Sequence, residues 1–127
     1  MSKEVNNTDE SKATIMNDKS MLERVKEIFG GDENLAKNLL NIYIKESTKD
    51  LSILQEGIQS KDIDKVNKVS HKIKSSFKFL GMNNAVELSL YFEKLTHFEE
   101  NTLEIKQKIS TLIELHQISI TDIEGCM

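Results

Sequence analysis

The sequence has no proline and no tryptophan, and only one of its 127 residues is a cysteine. Average usage of about 5% would place roughly six prolines in a chain of this length. Proline interrupts the hydrogen-bond ladder inside a helix, so its absence suits long unbroken helices. The lone Cys126 forms no internal disulfide and no multi-cysteine metal site, which makes a reducing cytoplasm the expected compartment. Long hydrophobic runs are missing as well. The opening Met1-Ser2-Lys3-Glu4-Val5-Asn6-Asn7 has no apolar secretory core, and no stretch approaches the ~20 apolar residues of a membrane span. Charge of one sign is scarce: 17 Lys+Arg against 21 Asp+Glu leave −4, too balanced for a strongly basic nucleic-acid binder. The five glycines form no phosphate-cradling loop and no kinase signature set is present, which argues against an ATP-dependent kinase. The histidines show neither HExxH nor an i,i+4 pair, so neither a metal site nor an intrinsic cofactor is expected.

What is present is helical periodicity. A hydrophobic content of 38% suffices for one core and one domain. Residues 1–19 are polar, with little apolar patterning, and read as a flexible tail; with the initial Met they fit a complete protein. The bundle is expected over 20–123, with 124–127 frayed. Ser20, with Glu23 three positions on, makes a capping-box pattern for a short helix carrying Met21, Leu22, Val25, Ile28 and Phe29, stopped by Gly30-Gly31. Asp32 caps a longer second helix to about Ile58, with Leu35, Leu39, Ile42, Tyr43, Leu51 and Leu54 at three- and four-residue steps. Asp62 caps a third, bearing Ile63, Val66, Val69, Ile73, Phe77 and Leu80, which Gly81 ends. A fourth carries Ala85, Leu88, Tyr91, Phe92 and Leu95, with His97 near its end. A fifth, from Asn101 or Thr102, carries Ile105, Ile109, Leu112, Ile113 and Ile120, with His116 on the same stripe. No stretch alternates with the period of two that a strand needs. Four substantial helices joined by short turns predict an all-α, antiparallel up-down-up-down four-helix bundle with a short extra N-terminal helix. The apolar stripes are used up by one bundle, so a monomer is expected.

The third helix departs from a neutral solvated surface. Between Lys61 and Lys78 stand six lysines against Asp62 and Asp64, a charge of +4, which leaves −8 for the rest of a chain totalling −4. A helical wheel gathers Ile63, Val66, Ser70, Ile73 and Phe77 on the core side and puts His71 about 140° away. Its surface neighbours are then Lys68, Lys74 and Ser75, with Lys78 a turn further on and Phe79 also roughly opposite the core. A solvent-facing imidazole offers a nucleophilic nitrogen near neutral pH. A neighbouring ammonium neutralises the oxygens of a transferring phosphoryl group, a reaction in which positioning and charge carry most of the catalysis.

The run His71-Lys72-Ile73-Lys74-Ser75-Ser76-Phe77-Lys78-Phe79-Leu80-Gly81 resembles the signature of histidine-containing phosphotransfer (HPt) domains. In that signature an aliphatic residue follows the histidine at two and a lysine at three, small residues come next, and Leu-Gly closes the run. His71, Ile73, Lys74, Ser76, Leu80 and Gly81 fit it, and Phe29-Gly30-Gly31-Asp32 before a long helix resembles the family's opening. The resemblance spans about residues 20–118. Two positions depart from it. Ser75 stands where the family has glycine, narrowing the approach to the imidazole or adding a hydrogen bond. Phe77 stands where a small residue is usual, and on the wheel it points inward, implying a repacked core.

The resemblance implies that His71 accepts a phosphoryl group from a receiver-domain aspartate and passes it to another receiver, with Lys74 as the main phosphoryl stabiliser. Lys68, Ser75, Lys78 and Phe79 are then candidates for receiver docking or anion contact. The implied partners are response-regulator receivers and a hybrid sensor histidine kinase, with Mg²⁺ supplied by the receiver and neither nucleic acid nor membrane involved. Such a protein is a phosphorelay intermediate rather than an enzyme. Two other classes compete: a helical adaptor that binds a receiver or kinase without carrying phosphate, and a structural or nucleic-acid-binding bundle whose binding would fall steeply with salt.

Overall fold

A computed structural model describes residues 20–99 and 102–126, and within them all regular secondary structure is helical. The elements are α1 (Met21–Ile28), α2 (Glu33–Gln59), α3 (Ile63–Leu80), α4 (Asn83–Glu93) and α5 (Thr102–Cys126). The sequence-predicted tail, Asn101 and Met127 lie outside the described residues.

The helix starts are where the capping residues put them. Ser20 Oγ accepts from the Glu23 amide at 3.2 Å, Asp32 Oδ1 from Leu35 at 3.0 Å and Asp62 Oδ1 from Lys65 at 3.1 Å. Each bond satisfies an amide that the first turn leaves without a helical partner. Gly81 ends α3 in the left-handed region at φ 74°, a conformation that favours glycine, and a Cβ there would also push the Arg24 guanidinium of α1 aside.

Consecutive helices α2 to α5 pack side by side, α5 returns to α2, and α1 lies against α2, α3 and α5. This is the four-helix bundle with a short N-terminal helix that the periodicity predicts. Its core includes Leu40, Leu54, Val66, Ile73, Phe77, Phe92, Leu112 and Ile123. Near α1, burial pushes the Asp122 carboxyl up while the Met21 backbone N–H and the nearby Arg24 hold it down. Tyr91 on α4 donates to Glu104 of α5 at 3.3 Å, and Lys108 Nζ stands 4.9 Å from its ring centre.

Several expectations are corrected by packing. Helix α4 stops at Glu93, so Leu95, though buried, and His97 lie beyond it. Helix α5 runs through Cys126, with Ile123 fully buried near its end. Leu35, Ile42 and Ile113 fall on the apolar stripes yet are exposed, because those stripes are wider than the seams they face. Phe79 is half-buried against Phe29, with ring centres 6.3 Å apart. A wheel built for one helix cannot anticipate that cover from α1.

Polar groups also enter the core. Ser119 Oγ donates to the His116 carbonyl at 2.6 Å, so at 2.9 Å the Tyr43 hydroxyl donates to Ser119. Ser47 Oγ lies 2.8 Å from His116 Nε2. Burial pushes the Tyr43 phenol up to about 12 and lowers the His116 imidazole below its ordinary value. Because the folded protein holds His116 neutral, the unfolded chain takes up that proton first as pH falls below about 6.5. Stability carried by this group is full above that pH and is lost below it, levelling off once pH passes the lowered folded value. Urea midpoints measured from pH 7 to 5 are expected to fall more for wild type than for His116→Gln; parallel profiles would show that His116 contributes no pH dependence.

Candidate functional site

Helix α3 has one buried side, formed by Val66, Val69, Ser70, Ile73, Phe77 and Leu80. The opposite side carries His71, whose side chain is 63% exposed, with Lys68, Lys72, Ser75 and Lys78 also exposed. Antiparallel packing of α4 brings its last residue, Glu93, to the edge of this face. Glu93 Oε2 is 2.8 Å from His71 Nδ1, and Oε1 is 2.7 Å from Lys74 Nζ. One carboxylate thus joins two side chains that sit one helical turn apart.

This arrangement has direct chemical consequences. A carboxylate only accepts hydrogen bonds, so the ring nitrogen facing it carries the proton and donates. In a neutral imidazole the lone pair then belongs to Nε2, on an exposed ring. The Lys74 ammonium, with the His71 contact second, holds the Glu93 carboxyl below the usual carboxylate range against a smaller opposing effect of desolvation. The pairing is therefore present at neutral pH and is lost only as pH falls through that lowered value.

The other predicted residues are distributed around this trio. Lys68 pairs with Asp64 at 3.1 Å, one turn before His71. Ser75 Oγ donates to the His71 carbonyl at 3.3 Å, so this hydroxyl is engaged with its own helix backbone. Lys72 reaches the other way, to the buried Asp50 at 3.2 Å. Phe79 is turned toward Phe29 rather than presented beside His71. His97 bonds Thr96 at 3.0 Å, and His116 is in the core. Concavities of about 310 and 580 Å³ lie against α1 and along α5, and His71 lines neither. The histidine is offered on a convex helix face, which suits a macromolecular partner better than a small molecule.

The sequence reading missed Glu93, which lies 22 residues from His71. No single-helix signal marked it: the apolar pattern carries the fourth helix on to Leu95, and only the fold makes Glu93 its last residue. Asn67 was missed too. Its side-chain amide, one turn before His71, donates to Phe92 and Leu95 carbonyls at 2.9 and 3.0 Å.

Among the described residues no helix is long and apolar enough to cross a membrane, and no three His, Cys, Asp or Glu side chains cluster to hold a metal ion. The family model of the Hpt domain matches residues 38–120, from α2 into α5, and includes His71, Lys74 and Glu93. No curated protein and no solved structure matches the chain significantly. A match over more than half of the sequence, on a four-helix bundle with a histidine exposed on α3, establishes that the chain belongs to the Hpt domain family, the histidine phosphotransfer modules of two-component signalling.

Proposed function

We propose that His71 is the phosphoacceptor of a relay between receiver-domain aspartates. The observation that carries this reading is the bond from Nδ1 to Glu93, which leaves Nε2 as the nucleophile on an exposed ring. In the forward step the Nε2 lone pair attacks phosphorus, the N–P bond forms, and the acyl phosphate O–P bond breaks to release the receiver's aspartate. The proton on Nδ1 stays in its bond to Glu93, whose negative charge offsets the positive charge that builds on the ring. Reversal onto a second receiver's aspartate returns the same atoms. Phosphohistidine is a reactive phosphoramidate, so neither direction is strongly uphill.

Lys74 is assigned the phosphoryl oxygens, because its shared partner holds the ammonium next to the imidazole. Lys68, Ser75 and Lys78 are assigned to contact with the receiver, where a basic helix meets an acidic pocket; Phe79 is left to seat α1. The receiver, including that of a hybrid sensor kinase, brings the Mg²⁺, and this protein acts as a cytoplasmic monomer that is phosphorylated in passing and has no autokinase activity.

The test is incubation with a panel of phosphorylated receiver domains and Mg²⁺, read by intact mass. An adduct labile to acid and stable to alkali supports the relay. No transfer from any receiver, with binding retained, replaces it by the non-phosphorylated adaptor.

The two lysines beside His71 separate cleanly. Lys74→Ala is expected to slow transfer by about tenfold or more while leaving stability almost unchanged. Lys72→Ala strips a buried carboxylate, Asp50, of its cation; it is expected to cost about 1–3 kcal/mol of stability with little effect on rate. Transfer rates and urea midpoints of the two variants check this, and equal rates would remove Lys74 from its role.

A further inference from the structure

We infer that Asn67 is a positioning residue for His71, acting through Glu93; the assignment rests on the proposed role of His71. Asn67 lies four residues before His71 on the same ridge of α3, facing the last turn of α4. Both of its partners, the Phe92 and Leu95 carbonyl oxygens, are acceptors, so only the amide NH₂ satisfies the pair, and the orientation of the side chain is fixed. The last carbonyls of a helix have no intrahelical donor. Helix α4 ends without a glycine cap, at Lys94 with φ −100° and ψ 2°. The Leu95 N–H makes one local bond to the Phe92 carbonyl at 3.3 Å, and the second closure comes from outside, by a side chain of the helix that carries the histidine.

The two carbonyls that Asn67 grips bracket Glu93 in the chain. Fixing residues 92 and 95 fixes the height and rotation of the Glu93 backbone, and with them the place of a carboxylate that must meet Nδ1 and Nζ together. Three successive side chains of one ridge, Asn67, His71 and Lys74, therefore hold the same turn of α4: one by its backbone and two by its terminal acid. Asparagine is a poor residue for the middle of a helix, so helix propensity does not account for its presence.

The experiment reads the His71 tautomer by ¹⁵N NMR of the imidazole, at mildly alkaline pH, alongside the transfer rate from a phosphorylated receiver. Wild type is expected to hold the proton on Nδ1. Asn67→Ala is expected to move the tautomer ratio toward that of Glu93→Ala and to slow transfer about tenfold, with receiver affinity unchanged. Adding Asn67→Ala to Glu93→Ala is expected to change neither quantity further, since the two act in one chain of contacts. Ala85→Gly, which loosens α4 at its other end, is the control and is expected to keep the wild-type ratio. A wild-type ratio and rate in Asn67→Ala would overturn the assignment, as would the same shift in Ala85→Gly. If Asn67→Ala does not fold, Asn67→Ser, with one donor in place of two, carries the test, and an unshifted ratio again overturns it. If wild type takes up no phosphoryl group, the relay fails while the tautomer ratio still decides what Asn67 does.

Discussion

His71→Gln is expected to abolish phosphoryl uptake and to leave the helix content and unfolding midpoint at wild-type values. The glutamine nitrogen is an amide, with its lone pair delocalised into the carbonyl, so the variant has no nucleophile at this position. Its NH₂ can still donate to Glu93, which keeps the carboxylate and Lys74 partnered. The histidine side chain is 63% exposed, and surface substitutions of this kind move stability by no more than about 0.5 kcal/mol. Intact mass after incubation with phosphorylated receivers, with circular dichroism on the same sample, checks both halves. Residual acid-labile phosphate would move the acceptor to another histidine, with exposed His97 the first to examine.

The largest stability effect is expected at Phe77. Its side chain is fully buried, edge-on to the His116 ring with centres 6.4 Å apart. Phe77→Ala removes the transfer free energy of an aromatic ring and leaves a cavity, together about 3–5 kcal/mol, a large fraction of the 5–15 kcal/mol of a typical domain. Urea unfolding should show a lower midpoint with an unchanged slope. Phosphoryl transfer, assayed where the variant stays folded, is expected to remain within about twofold of wild type, because the Asn67, His71 and Lys74 ridge meets α4 on a different side of α3. A loss of transfer as large as that of Lys74→Ala would show that the core packing of α3 sets the site. This contrast also bears on the Phe77 departure from the family signature: the aromatic is accommodated inside the bundle, away from the histidine.

The parts of this architecture legible in the sequence are those decided within one helix. Ser20, Asp32 and Asp62 mark helix starts by local hydrogen bonds, Gly81 marks an end by its positive φ, and the wheel separates Ile73 and Phe77 from His71. The family signature is equally local, a single run from His71 to Gly81. Glu93 escaped because its meeting with His71 depends on the axial offset between α3 and α4, which no single-helix pattern encodes. Ile42 was misplaced for a related reason, and the wheel left Phe79 undecided: burial depends on which neighbour covers a stripe and how widely. The position of Glu93 at the end of α4 was likewise hidden, since no glycine or proline breaks the helix there and the Asn67 side chain of α3 helps to close it.

Apolar stripes favour burial but do not distinguish one register from the next, and α2 and α5 meet without a connecting turn to align them. The pairs Tyr43–Ser119 and Ser47–His116 supply the missing index, since the numbers rise along α2 as they fall along α5. Sliding α5 by one turn, about 5.4 Å, would strand these buried groups without partners, at about 1–3 kcal/mol for each group left unpaired. The polar ladder thus acts as a key for chain threading, excluding slipped bundles that the same leucines and isoleucines would tolerate.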